Sequence, residues 1–123
     1  MEVTLRTCQS VPFYACGGFD PSVCAHGFST RLGGVSPAPW DSLNLGANRG
    51  DAPERVAENF RRFCGAVGTD ADALVKNHQV HGDLVRPVTR RDVMSSSAEP
   101  GVYEADGLIT DEPGLCLTIF SAD

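Results

Sequence analysis

Residues 31–50, RLGGVSPAPWDSLNLGANRG, restrict this chain more than any other stretch. A glycine in a helix interior costs about 1 kcal/mol and a proline about 3 kcal/mol, and proline cannot donate to the ladder of a central strand. With Gly33, Gly34, Pro37, Pro39, Gly46 and Gly50 in one run, the segment reads as a long loop. Loops of that length within compact domains are usually functional, so this one is a candidate site wall. A helix follows at once. Asp51 as N-cap, Pro53 in the first turn and Glu54 three residues after the cap form a capping-box pattern. Val56, Phe60, Phe63, Cys64 and Val67 then recur at helical spacing, and Gly68 supplies the stop. Glu54, Glu58, Arg61 and Arg62 take the opposite face, which makes this an amphipathic helix that packs on a core.

The rest reads as short strands at residues 3–5, 23–28, 74–76, 84–88, 107–110 and 115–120, separated by turn residues such as Gly17, Gly18 and Pro21. Strands with one strong helix fit an α+β fold of mixed β-sheets and packed helix better than alternating βαβ units. A length of 123 residues bounds this to one domain. The last apolar pattern, LCLTIFSAD, has no following helix or polar tail to cover it. The expectation is that the sequence is the incomplete N-terminal portion of a domain.

Charge excludes one class of partner. Ten basic against sixteen acidic residues give a net charge of -6, whereas a nucleic-acid surface needs a dense basic patch. Arg61-Arg62 and Arg90-Arg91 read as solvated element ends. No apolar run reaches the length of a membrane span, and MEVTLRTCQS lacks the order of a secretory signal. Five cysteines without a CxxC pair point to a reduced, cytoplasmic protein.

The chemistry-bearing residues are few. His78 and His81 lie three apart in KNHQVHG, and on extended chain residues three apart face opposite sides. One should therefore face a site and the other not. Three histidines in all, without a second ligand pair at zinc-like spacing, are a weak metal signal. Arg31 is a surface residue or an anion clamp, with the Gly33 and Gly34 amides able to approach a phosphate or carboxylate. Asn44 orients a substrate or caps a turn, and the turn role is favoured on sequence alone. Cys116, inside an apolar strand, reads as packing rather than nucleophile. Walker, dinucleotide and GxSxG patterns are all lacking.

Several motifs together carry a resemblance. HGFSTRLGGVS (residues 26–36), SLNLG (42–46), GDAPERVAENFRRF (50–63), NHQVHG (77–82), EADGLIT (104–110) and SAD (121–123) fall in the order of the YfiH-type family. That family is also described as laccase-domain, polyphenol oxidase-like, purine nucleoside phosphorylase and peptidoglycan editing factor. The resemblance implies a YfiH-like α+β fold and an enzyme that phosphorolyses adenosine, inosine or methylthioadenosine, with adenosine deamination as a further activity. It implies a zinc ion held by the His of QVHG, a Cys directly after the SAD-like motif and a His in a later motif. Carried over, His81 is a metal ligand and catalytic residue, His78 lies outside the ligand position, and the second ligand would follow Asp123. A single imidazole cannot hold a catalytic zinc, which needs three protein ligands, so these residues are expected to be inactive unless completed.

For phosphorolysis, Arg31, Gly33 and Gly34 are the expected phosphate holders, and Asn44 and Gln79 the expected hydrogen-bonders to a purine nucleoside. Copper-dependent phenol oxidation ranks lower, because copper favours imidazole and the chain has three histidines and no HxH. A non-catalytic binding or cell-wall editing role is the remaining alternative.

Overall fold

The computed structural model describes residues 2–122. Three strands form an antiparallel sheet: β1 (Val3–Cys8), β2 (Val11–Cys16) and β3 (Phe28–Ser29), in the order β1-β2-β3. The β1-β2 hairpin pairs Val3 with Cys16 through to Cys8 with Val11. Its two turn residues, Gln9 and Ser10, both have positive φ, 52° and 66°, as a type I′ turn requires. Gln-Ser is not the Asn-Gly type of turn signal, and for that reason β2 escapes a reading by sequence. Its side chains alternate, with Val11, Phe13 and Ala15 buried while Tyr14 faces out.

Helix α1 (Pro53–Val67) lies between two halves of the core. Phe63, Ala66 and Val67 pack with Val11, Phe13, Ala15 and Leu43 on the hairpin side. Val56, Phe60 and Cys64 pack with Leu74 and Cys116 on the other. Leu45, from the glycine-rich loop, touches both groups. The helix is therefore the beam on which the hairpin, the Leu74 and Cys116 strands and the loop are hung. Gly68 ends it in the left-handed conformation, φ 100°, its N–H donating to the Cys64 carbonyl at 2.9 Å.

The second half supplies two parallel strand pairs. β4 (Leu74–Lys76) pairs with β7 (Cys116–Thr118), and β5 (Val85–Pro87) with β6 (Gly107–Ile109). No α-helix lies between β4 and β7 in the chain; two short 3-10 turns, Ala71–Ala73 and Arg90–Asp92, and irregular loops fill the remaining space. Mixed sheets around one helix give the α+β class expected.

Two local expectations are corrected. Helix α1 starts at Pro53 behind Ala52, which makes no side-chain cap bond. Asp51 does not cap it. The Asp51 carboxylate instead accepts hydrogen bonds from the Ser36 hydroxyl, the Asn44 amide and the Ala52 N–H, and these partners outcompete the helix end. The strand foreseen over residues 23–28 shrinks to Phe28–Ser29. Asp20 closes a turn there, its side chain accepting from Ser22 and its carbonyl from the N–H groups of Val23 and Cys24.

Candidate functional site

The glycine-rich loop folds back on itself around Asn59, a fully buried polar residue of α1. Its Oδ1 accepts from the Val35 N–H at 2.8 Å, and its Nδ2 donates to the Ser36 Oγ and to the Asn44 carbonyl. Ser36 in turn donates to Asp51, whose carboxyl is held below its usual range chiefly by that hydroxyl. A buried amide left unpaired costs about 1–3 kcal/mol, so this network fixes the loop as firmly as an apolar contact would.

That fixed loop walls an open cleft of about 400 Å³, lined by Arg31, Trp40, Asp41, Asn44 and Phe120 among others. Arg31 is largely exposed, with its guanidinium 3.4 Å from Asp41. A larger hollow of about 570 Å³ lies elsewhere, walled by Glu54, Glu58, Asp70, Asp72 and Ser95 to Ser97. It contains none of the residues expected to act.

The histidine pair sits where β4 leaves its sheet. His78 is held by its backbone, accepting from the Ala105 N–H and donating to the Tyr103 carbonyl. His81 stands in a tight turn with φ 61°, in the left-handed region. Its side chain is exposed, and among the described residues no hydrogen bond engages its imidazole. The turn is closed by Asp106, whose Oδ1 accepts from the N–H groups of Val80 and Gly82 and whose Oδ2 accepts from His81 N–H, at 2.9 to 3.0 Å. These backbone donors, Gly82 first, hold the Asp106 carboxyl below its usual range. Gln79 reaches the other way. Its Nε2 donates to the Phe120 carbonyl at 2.8 Å and its Oε1 accepts from the Phe120 N–H at 2.7 Å. Phe120 lines the cleft, so Gln79 ties the histidine turn to it.

A family model described as multi-copper polyphenol oxidoreductase laccase matches residues 25–123. The chain belongs to that family. Within this laccase-like family it is 43% identical over 98 residues to a purine nucleoside phosphorylase of Deinococcus radiodurans, a match covering 80% of the chain and 35% of that protein. It is 41% identical over 96 residues to the purine nucleoside phosphorylase YfiH of Escherichia coli, covering 77% and 36%. Among solved structures, YlmD from Geobacillus stearothermophilus matches with a TM-score of 0.75 and 30% identity, over 94% of the chain and 43% of that protein. YfiH from Bacillus licheniformis matches with a TM-score of 0.65 and 34% identity, over 74% and 35%. The chain thus spans about a third of the length of the curated relatives it matches.

Membership of the laccase-like family gives the expected binders their context, and the structure separates them. Arg31 and Asn44 both line the cleft, but the Asn44 amide is committed to Asp51 and to the Gly46 N–H, an Asx turn. Gly34 is not an open anion cradle. Its N–H donates to the Ser42 hydroxyl, and a Cβ there would fall 2.2 Å from the Ser42 carbonyl oxygen. Gly33, at φ 99°, lies against the Val11 backbone. Gln79 spends both amide atoms on Phe120. Cys116 packs as expected, 4.0 Å from the Cys64 sulfur, and that contact lowers its thiol while raising that of Cys64. Asp106 and Asn59 are the residues missed. Both lie inside motifs shared with the family, yet only their hydrogen bonds reveal what they do.

Proposed function

We propose that this chain forms the N-terminal share of a metal-dependent purine nucleoside phosphorylase, taking adenosine, inosine or methylthioadenosine with inorganic phosphate. The observation that carries the reading is His81: an exposed imidazole, free of hydrogen bonds among the described residues, in a turn whose neighbour Gln79 is tied to the cleft wall. Relatives named as purine nucleoside phosphorylases support the substrate class.

Among the described residues no group of three His, Cys, Asp or Glu side chains converges on one point. The donors present therefore fit one share of a metal site, with His81 as the ligand and the others supplied outside these residues. When bound, zinc contributes Lewis-acid stabilisation of developing charge. Arg31 holds the phosphate at the cleft by charge and bidentate hydrogen bonding, with Asp41 keeping the guanidinium on the wall until the anion arrives. Asn44 lines the wall, and Gln79 braces it through Phe120, rather than touching the substrate. Adenosine deamination is a second activity of the same site. The five cysteines are all free thiols, which supports a reducing, cytoplasmic setting; no helix among the described residues is long and apolar enough to cross a membrane.

The test is metal analysis of the native gene product followed by an inosine-plus-phosphate assay on the same sample. About one zinc per chain, as expected for a three-ligand catalytic site, with release of hypoxanthine and ribose 1-phosphate, supports the reading. Copper loading with oxidation of a phenol and no phosphorolysis sinks it in favour of the oxidase.

A further inference from the structure

We propose that Asp106 is the positioning residue for the His81 imidazole, holding the backbone from which that side chain projects. The inference rests on the reading of His81 as a metal ligand. A residue with a β-carbon in the left-handed region is disfavoured by about 1–2 kcal/mol, so His81 at φ 61° needs outside support. Asp106 provides it through both oxygens. Oδ1 takes the N–H groups on either side, from Val80 at 3.0 Å and Gly82 at 2.9 Å, and Oδ2 takes the N–H of His81 itself at 2.9 Å. Hydrogen bonds to a carboxylate are stronger than neutral ones. Three of them on consecutive residues leave the turn little freedom.

The carboxylate is itself held from a fixed frame. The Asp106 and Gly107 N–H groups both donate to the Leu84 carbonyl at 3.1 Å, Ala105 is buried, and Gly107 opens β6 against β5. The position of His81 is thereby referred to the β5-β6 sheet. Metal ligands are commonly oriented by a hydrogen bond to the second ring nitrogen. Here the orientation is imposed through the main chain, which leaves the imidazole nitrogens free.

Asp106→Asn separates positioning from turn closure. The amide keeps one oxygen, which in the Oδ1 place still serves Val80 and Gly82, and sets an NH₂ group against the His81 N–H. In the full-length native gene product, D106N is compared with wild type and H81A below the melting transition of each. The readouts are zinc affinity by chelator competition, the visible spectrum of the cobalt-substituted protein, and amide exchange at residues 80–82. D106N is expected to weaken zinc binding by about 10–100-fold, alter the cobalt spectrum and speed exchange at His81, with a melting temperature close to wild type. If D106N does not accumulate folded, D106E, which displaces the charge by one methylene, is expected to move the same readouts. Wild-type zinc affinity and cobalt spectrum in the folded variant, while H81A has lost zinc, would overturn the positioning role alone. Zinc bound by H81A at wild-type affinity would overturn the ligand reading beneath it.

Discussion

At the scale of single residues, Gly34 and Lys76 show how far a position's meaning depends on its neighbours. A Cβ at Gly34 would meet the Ser42 carbonyl oxygen at 2.2 Å and Asn59 Oδ1 at 2.5 Å, and neither can retreat without breaking the loop network. Gly34→Ala is expected to cost about 3 kcal/mol in a denaturant melt; a loss within experimental error would mean the loop is softer than its packing implies. Lys76 is buried, its Nζ donating to the Ser97 carbonyl at 2.8 Å and lying 4.9 Å from the Phe60 ring centre. Burial pushes its ammonium down to about 8. Between there and the ordinary lysine range the unfolded chain binds more protons than the folded one, so stability rises with pH across that window. Below it, the buried charge costs on the order of 3 kcal/mol. Lys76→Met is expected to abolish this rise, read as urea stability of wild type and variant at about pH 7 and about pH 10. Equal slopes in the two proteins would remove Lys76 as the cause.

At the scale of elements, α1 works through one residue that no hydrophobic pattern selects. Phe60 and Val56 bury apolar surface as any amphipathic helix does. Asn59, between them in the sequence, binds Val35, Ser36 and Asn44 and so joins the helix to the loop. Asn59→Ala leaves a buried N–H and carbonyl unpaired, with an expected loss of about 3 kcal/mol. Amide exchange should accelerate at Val35, an effect that simple helix destabilisation would not confine to the loop. Helical spacing discloses the helix and its stop at Gly68 because both are local. The starting cap was not legible, since Asp51 is claimed by Ser36 and Asn44 from the loop. Nor was β2, whose left-handed Gln9-Ser10 turn carries no glycine or asparagine.

At the scale of the whole molecule, the Gln79 tether links the exits of β4 and β7. Gln79→Ala removes both bonds to Phe120, and because the region is exposed the stability cost is expected to be about 1 kcal/mol. On the reading of His81 as a metal ligand proposed above, metal affinity should fall more than that small loss suggests, because the His81 turn is no longer tied to Phe120. A chelator titration checks this, and unchanged affinity would leave Gln79 with a purely local role.

Sequence alone determined the α+β class, the amphipathic helix, the loop that walls the cleft and, through shared motifs, the family. These depend on periodicity, backbone limits and residue order, all written locally. Tertiary structure decided which polar atoms remain available. Asn44, Gln79 and Gly34 had the right chemistry to bind a substrate, but other groups occupy them: Asp51, Gly46 and Ser42 from within the folded loop, and Phe120, distant in sequence, at Gln79. Asp106 had no assigned role until three backbone N–H groups from the histidine turn converged on it. The physical reason is that a side chain's chemistry is fixed by its type, whereas its free valences are fixed by whatever the fold brings within hydrogen-bonding distance.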